Sequence, residues 1–434
     1  MTRKVTITGV GPVCGLGLGI GDVWQGLMDG RNALAPVKAF DASRMGSTIA
    51  AEVPDFKMRD FVPKSYRKQT KVMARDIEIA VAAAHFAGLD AGLTTHGYDA
   101  DAKPSYDPTR VGCHIGAGLI AADLDELTLA LNESRKDDGS FDIHHWGAEG
   151  MRNLTPLWLL KYLPNMLACH VTIIHDVQGP SNTITCAEAS GGLSFGESLR
   201  VIQRGDADLC FCGGAESKVN PMTFYRQVLT GRLSKNNDHP ADAVRPFDTQ
   251  ADGTAVGEGG GILTLEATDT YTQRGGDSAY AHVLGFGASQ SVNRDTRSLE
   301  PTADGRGPRL AIEAALREAN LTADQIDAVF PFGCGHPHYD AAEAAALRTV
   351  LGDRLAEVPV YSAKPLIGNC GAGAGAIDLA LAAQALKAQT LPPTRNRDTP
   401  LDGLGATQAK KLDHALVFTT GFGGQNTAVV LGKV

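Results

Sequence analysis

The sequence predicts an α/β fold made of two similar halves, in which strands alternate with helices. The first observation is length, because 434 residues are about two to three times a typical single domain. The second is internal similarity: residues 78–89 and 309–321 are both alanine-rich amphipathic stretches followed by an acidic loop. The third is that apolar strands beginning at Asp208 and Ala415 both run into glycines. This alternation indicates mainly parallel sheets covered by helices.

A further pair of predicted helices lies at equivalent places in the two halves. Residues 191–205 and 371–389 each follow a strand, and each begins with small residues. The strand around Leu263 closes the first half, and a strand like the first one restarts at Ala281. We therefore divide the chain into an N-terminal half, 1–266, and a C-terminal half, 267–434.

The composition argues against several classes of function. With 43% hydrophobic and 21% charged residues and no apolar run of membrane-spanning length, we expect a soluble, cytoplasmic protein without a signal peptide or membrane span. A net charge of −9 disfavours general binding of nucleic acid. The eight cysteines are scattered without the spacing of metal ligands, so we expect buried thiols, no metal and no cofactor.

Two strand-to-helix turns are the candidate functional positions. A helix start offers free backbone N–H groups and a partial positive charge, which together stabilise an anion. In the first half, Cys186 and Glu188 stand just before the helix, and in the second half Asn369 and Cys370 hold the equivalent place.

An ordered set of motifs runs along nearly the whole chain. It comprises GPS at 179–181, GDAD at 205–208, GGAES at 213–217, RPFD at 245–248, DGTAVGEGGG at 252–261, Asp340 with Glu343, Lys364 with Gly368, and GFGGQN at 421–426. In these motifs the chain resembles the β-ketoacyl-[acyl-carrier-protein] synthases. The resemblance implies a thiolase-like fold, in which two similar βαβαβαββ halves form a layered α-β-α-β-α core.

The three catalytic positions of that family are substituted in this chain. The family's nucleophilic cysteine is the tenth residue counted from the start of GPS, and here that residue is Glu188. Its two histidines match Phe332, eight residues before Asp340, and Asn369, five residues after Lys364. The phenylalanine that usually precedes GFGG is replaced by Thr420, so a side chain that gates acyl entry is expected to be absent.

The substitutions predict loss of condensing activity. A carboxylate cannot hold a transferable acyl thioester, and an anionic Glu188 would repel the carboxylate of a malonyl group. Phe332 has no proton to give, and Asn369 has only a neutral amide. Within the family this pattern resembles the chain-length factor, the noncatalytic partner of a condensing synthase in polyketide or polyene systems. Such factors usually carry glutamine where this chain has Glu188.

The resemblance also implies two partners, each with its own surface. A catalytic ketosynthase homologue would form a heterodimer with this chain, and Leu119, Ala122 and Glu126 would line the tunnel that limits chain growth. An acyl carrier protein, which is acidic, would dock on a basic stripe whose members recur at helical spacing. The stripe consists of Lys64, Arg67, Lys68, Lys71 and Arg75. A solvated helix face is an equal interpretation of the stripe.

An enzyme of unusual type is the main alternative. Cys186, two residues before Glu188, could be a displaced nucleophile, although a packed cysteine at a strand end is commoner. An acyltransferase or condensing enzyme could use either Cys186 or Glu188. His336 and His338 could supply a base or bind metal, but a glycine- and proline-containing loop is the simpler interpretation. The apolar stretch 156–168 is too short to cross a membrane and is expected to lie in a dimer interface or the core.

Overall fold

The computed structural model describes residues 3–99, 101–401, 403–404, 408–409 and 411–434. The strands are β1 (Val5–Cys14), β2 (Gly17–Leu18), β3 (Leu34–Pro36), β4 (Ile49–Ala51), β5 (Val111–Ala117), β6 (Ser181–Ile184), β7 (Leu209–Glu216), β8 (Val256–Gly257), β9 (Gly259–Ala267), β10 (Ala281–Gln290), β11 (Ala328–Phe330), β12 (His414–Thr420) and β13 (Gln425–Gly432). The helices are α1 (Gly19–Met28), α2 (Arg75–Asp90), α3 (Leu124–Glu133), α4 (Ile143–Ala148), α5 (Met166–His175), α6 (Ser190–Arg204), α7 (Pro221–Leu229), α8 (Thr268–Gln273), α9 (Arg306–Ala319), α10 (Pro337–Leu351), α11 (Lys364–Ile367) and α12 (Ala374–Ala388).

The strands of the two halves follow the same order. The first half runs β1-β9-β7-β5-β6, and the second runs β10-β13-β12-β11. Next to β11, Val360 adds an isolated parallel bridge to Val329, at the place that β6 has beside β5. A short antiparallel pairing of Val5–Ile7 with Ala281–Val283 joins the two halves through β1 and β10.

The expectation of mainly parallel sheets is wrong. Strand β5 is parallel to β6 and β7, and β11 is parallel to β12, but β9 and β13 are antiparallel to their neighbours. The reason is that the last two strands of each half, β7 with β9 and β12 with β13, are adjacent in the sheet and run in opposite directions. The short segment between β12 and β13 leaves no room for the crossover helix that a parallel pair requires, and the longer segment between β7 and β9, which contains α7 and β8, returns the chain in the opposite direction.

The helices complete five layers. Helices α6 and α12 contact each other and lie between the sheets, α6 against β5 and β7 and α12 against β9 and β12. Helices α2 and α5 cover the outer face of the first sheet, and α9 and α10 cover that of the second. The helix pairs predicted from internal similarity thus occupy equivalent layers, although the division of the chain at 266/267 stays a prediction.

Small residues allow the two central helices to approach each other closely. A Cβ atom added to Gly191, at the start of α6, would lie 2.9 Å from the backbone carbonyl oxygen of Ala372, before α12. Because both helix starts therefore meet, side chains from the turns that precede them can contact each other.

The described residues include no helix long and apolar enough to cross a membrane. Nor do these residues contain a cluster of His, Cys, Asp and Glu side chains suited to a metal ion.

Candidate functional site

The turn between β6 and α6 places Glu188 at the centre of the molecule. Ala187 adopts a left-handed conformation, with φ of 49°. The hydroxyl of Ser190 accepts the N–H of Cys186 at 2.8 Å and donates to the carbonyl of Ala187 at 2.6 Å, which fixes the turn. Glu188 is consequently buried, with 1% of its surface exposed.

Three donors hold the Glu188 carboxylate. Lys218, just after β7, and the amide of Asn369 donate to Oε1 at 3.3 and 3.2 Å. The backbone N–H of Phe422, just after β12, donates to Oε2 at 2.9 Å. Two of the donors come from the second half of the chain, so the carboxylate bridges the two halves.

These donors keep Glu188 ionised. Burial alone acts to raise the pKa of its carboxyl group, because a low-dielectric interior disfavours charge. The charge of Lys218 and the hydrogen bonds from Phe422 and Asn369 outweigh burial, and the pKa lies below its usual value. Glu188 is therefore a fixed anion and a poor proton acceptor.

Lys218 also forms an ion pair with a second buried carboxyl group, that of Glu216. Its Nζ atom lies 3.5 Å from Oε2 of Glu216, which also accepts the N–H of Ala372 at 2.8 Å. Burial raises the pKa of Glu216, and the negative charge of Glu188 adds to that rise despite Lys218. Burial opposes the charge of Lys218, yet the two carboxylates raise its pKa above the usual value. The ammonium ion therefore favours ionisation of Glu188, which has more donors, over that of Glu216.

An aromatic cluster surrounds Phe332, the residue that the resemblance matches to the first family histidine. Phe332 is fully buried and packs edge-on against Phe422, with ring centroids 5.6 Å apart. The ring of Tyr339 also packs edge-on against Phe422, with ring centroids 4.7 Å apart. The Arg232 guanidinium lies 4.4 Å from the centre of the Phe422 ring. The cluster fixes Phe422, whose N–H holds Glu188.

The acidic residues near Phe332 hold backbone rather than substrate. Asp340 accepts the N–H groups of Phe247, Cys334 and Gly335 at 2.8 to 3.1 Å, and Glu343 accepts that of Gly333 at 2.9 Å. Burial raises the pKa of Asp340 to about 7. Burial, with a contribution from the charge of Asp340, raises the pKa of Glu343 to about 8. Lys364 forms its own buried ion pair with Asp378, 2.6 Å from Oδ1.

The floor of the site opens into a cleft of about 480 Å³. Leu119, Glu188, Lys218, Arg232 and Phe422 contribute to its walls. Of the residues predicted to line a tunnel, Leu119 alone lies here, and its side chain is largely exposed.

The other two predicted tunnel residues lie apart from Leu119. Ala122 lines a neighbouring cleft of about 570 Å³ that also contains Asp76 and Tyr162. Glu126 accepts a hydrogen bond from the Tyr162 hydroxyl at 2.6 Å and pairs with Lys161. In this structure the three residues therefore do not share one cavity.

Cys186 and the two loop histidines lack the surroundings of catalytic groups. Burial raises the pKa of the Cys186 thiol, which disfavours the reactive thiolate. Burial lowers the pKa of His336, whose ring packs on Tyr339 at 5.4 Å, while His338 is hydrogen-bonded to the carbonyl of Pro301 at 2.8 Å. His336 precedes the first residue of α10 and His338 lies in its first turn, so their contacts hold the start of the helix in place.

The predicted single basic stripe is wrong as a helix face. Lys64 lies in one 3₁₀ turn and Lys71 in another, and α2 begins only at Arg75. The Tyr66 hydroxyl forms a 2.9 Å hydrogen bond with the ring of His170 in α5, so the segment lies against α5 as separate turns and does not form one helix. Lys64, Arg67, Lys68 and Lys71 are exposed, but Arg75 turns inward and pairs with Glu258 at 3.1 Å.

Lys218, Glu216 and Arg232 are the site residues that the sequence analysis missed. The sequence signal for Lys218 was a charged residue two positions after the end of the buried strand β7. A charged side chain buried at such a place needs a group of opposite charge beside it. Nothing in the sequence places Arg232 over the ring of Phe422.

Comparisons with known proteins establish the family. The β-ketoacyl synthase N-terminal domain matches residues 2–270, and the β-ketoacyl synthase C-terminal domain matches residues 280–398. The chain therefore belongs to the β-ketoacyl synthase family, a family of acyltransferases whose named members act in fatty acid and polyketide synthesis.

Relatives and a solved structure align over essentially the full length. The 3-oxoacyl-[acyl-carrier-protein] synthase 2 of Synechocystis is 30% identical, covering 99% of this chain and 98% of the relative. The putative polyketide β-ketoacyl synthase 1 of Streptomyces cyaneus is 31% identical, with the same coverage. The ishigamide ketosynthase/chain length factor superposes with a TM-score of 0.80 at 26% identity, covering 100% of both chains. The predicted thiolase-like α/β fold is confirmed.

The shared ammonium ion leads to a stability prediction. Replacing Lys218 with methionine should destabilise the protein by about 3–5 kcal/mol, because two buried carboxylates lose their cation. Glu188→Gln should destabilise the protein less than Lys218→Met does, because Lys218 keeps its ion pair with Glu216. The double variant should be more stable than Lys218→Met alone. Urea unfolding of the three variants, with exposed Lys71→Met as the control, measures these differences. If Lys218→Met and Lys71→Met changed the free energy of unfolding equally, the stabilising role of Lys218 between the two carboxyl groups would be contradicted.

A second prediction concerns the dependence of stability on pH. The unfolded chain loses the Glu343 proton near the ordinary pKa, whereas the folded chain keeps it up to about pH 8. The unfolded state therefore binds fewer protons in that window, and stability due to Glu343 falls as pH rises from about 4.5 to about 8. Glu343→Gln should remove this fall, gaining on the order of 2–4 kcal/mol relative to wild type between these limits.

Unfolding curves at several pH values test this expectation. Glu357→Gln, at an exposed position, is the matched control variant. A Glu343→Gln difference from wild type that is constant with pH would show that the folded protein does not hold the Glu343 proton.

Proposed function

We propose that this protein is a noncatalytic subunit, similar to a chain-length factor, that pairs with a catalytic β-ketoacyl synthase. In the pair it would shape the tunnel in which a polyketide, polyene or fatty acyl chain grows. One observation carries the proposal: an ionised glutamate, held by three donors, stands at the position where the family has its nucleophilic cysteine.

The chemistry of the site supports the absence of condensation. Condensation needs a thiolate to hold the acyl chain and groups that stabilise negative charge as it develops. Glu188 forms no exchangeable thioester, and its carboxylate already uses the donors that could stabilise such charge. Phe332 donates nothing, and the Asn369 amide is engaged with Glu188.

An enzyme that uses Cys186 or Glu188 is the second candidate, and the names of the relatives favour it because they are synthases. The site argues the other way. Cys186 lies outside the set of residues that line the cleft, and Glu188 is held too firmly by hydrogen bonds to act as a nucleophile.

The pairing rests on an uncovered face of the first half. Strand β6 ends the large sheet, and its first two residues are exposed, so its edge is free to pair. Large apolar side chains are also exposed along the chain from α3 to α5, and α5 contacts β6. Such exposure is typical of a protein interface. These side chains are Leu129, Phe141, Ile143, Leu157, Leu159 and Ile173. The solved ishigamide ketosynthase/chain length factor carries the name of both kinds of subunit.

The remaining assignments are parts of the same proposal. Lys64, Arg67, Lys68 and Lys71 would attract an acyl carrier protein, while Arg75, engaged with Glu258, would not. Leu119, Ala122 and Glu126 would line the tunnel once the partner closes the clefts in which Leu119 and Ala122 lie. A cytoplasmic location stays a prediction.

The proposed function predicts that the isolated chain is not acylated. Incubation with acyl-carrier thioesters should leave its intact mass unchanged, because Glu188 replaces the thiol. The control is Glu188→Cys, which restores a thiol at the family position. A stoichiometric adduct on the wild-type chain that disappears in Cys186→Ser would reject the noncatalytic role and identify Cys186 as the nucleophile.

The proposed assembly predicts a heterodimer. Co-expression with a β-ketoacyl synthase that has an intact cysteine and two histidines should yield a one-to-one complex. Ile173→Glu, on the exposed face, should weaken it at least about tenfold because a charge would be buried; Leu310→Glu, on outer helix α9, is the control. Analytical ultracentrifugation measures both. A stable homodimer that ignores the synthase would contradict the assembly.

The tunnel assignment predicts changes in product length without loss of bond formation. In the assembled pair, Ala122→Phe should shorten products because an added ring fills space that the chain needs. Leu119→Ala should lengthen them if Leu119 forms the end wall. Mass spectrometry of products and the total number of condensations report both effects, with Leu310→Ala as a control. Unchanged lengths in folded assemblies would reject these tunnel residues.

A further inference from the structure

The Glu188 carboxylate has the contacts of a bound ligand. It is attached to the first half of the chain, but it accepts hydrogen bonds from Asn369 and from the N–H of Phe422, both in the second half. Lys218 supplies the opposite charge at 3.3 Å. A cationic group, an amide and a backbone N–H that converge on one carboxylate form a receptor for a carboxylate.

The receptor is fixed independently of the side chain that fills it. Lys218 is held in place by Glu216, which is anchored in turn by the N–H of Ala372. Phe422 is held by the rings of Phe332 and Tyr339. The side-chain oxygen Oδ1 of Asn369 accepts the N–H of Gly371 at 2.9 Å. This hydrogen bond orients the side-chain nitrogen of Asn369 toward Glu188. The donors should therefore keep their positions when the glutamate side chain is removed.

We propose that this chain contains a carboxylate-binding pocket whose resident ligand is its own Glu188, and that the vacated pocket binds a small free carboxylate. Lys218, Asn369 and the N–H of Phe422 are the binding groups. The pocket adjoins the cleft of about 480 Å³, which gives a free ligand a path to it. The wild-type chain would thus be closed to carboxylates by an internal competitor.

Acetate is the matching probe. Glu188→Ala removes the Cγ atom and the carboxyl group, and these are the non-hydrogen atoms of acetate. Acetamide has the same shape without the charge. Glu188→Gln fills the pocket with a neutral side chain of the same size and is the matched control variant.

The experiment is a thermal unfolding titration of the full-length chain at constant ionic strength, with ¹³C-acetate NMR as a direct measure of binding. For Glu188→Ala, we expect acetate to raise the Tm in a saturable way and acetamide to have little effect. Wild type and Glu188→Gln should show no rise beyond the salt control. Adding Asn369→Leu to Glu188→Ala should weaken acetate binding about tenfold, because one hydrogen bond to the anion is lost.

A second variant covers the case in which Glu188→Ala is poorly folded. Glu188→Gly vacates the same space, and recovery of either variant only in the presence of acetate would also support the proposal. The proposal is overturned if both variants respond to acetate no more than Glu188→Gln does, or if neither folds even with acetate. Neither result bears on acylation, so the pocket and the noncatalytic role can fail separately.

Discussion

A single buried ammonium ion, that of Lys218, makes the centre of this molecule possible. It contacts two buried carboxyl groups, Glu188 just before α6 and Glu216 at the end of β7, and favours the ionised form of Glu188. Both carboxylates also accept hydrogen bonds from the second half, through Phe422 and Ala372. A buried charge without such partners would cost several kcal/mol, so the close meeting of the two central helix starts depends on this cation.

The same network takes in the three residues that the resemblance to the β-ketoacyl synthases matches to that family's catalytic positions. Glu188, matched to the nucleophile, is an anion held by three hydrogen-bond donors. The position of one histidine is filled by a phenylalanine that fixes Phe422 through ring contacts. The position of the other is an asparagine whose amide serves Glu188. Glu188 and Asn369 therefore contact each other, and Phe332 is linked to Glu188 through Phe422.

The sequence was sufficient for the fold, because the repeat and the ordered motifs are local patterns along the chain, whereas the assignment of the substituted catalytic positions stays a prediction. Glu188 does stand before a helix and contacts Asn369, as equivalent turns of two similar halves should. The sequence was insufficient where the outcome depended on which elements meet. Lys218 was missed because its partner Glu188 comes from a separate turn, and the basic stripe failed because its residues lie in two 3₁₀ turns and the start of α2 instead of on one helix.

The ionisation state of Glu188 tests this account most directly. Selective ¹³C labelling of glutamate carboxyl groups, with the Glu188 resonance assigned from Glu188→Gln, allows its titration to be followed by NMR. The account predicts that the carboxyl group titrates below the ordinary glutamate pKa of about 4.3 and is fully ionised at neutral pH. A resonance that titrates near neutral pH would contradict the account, because Glu188 would then be a protonated side chain and not an anion held by Lys218.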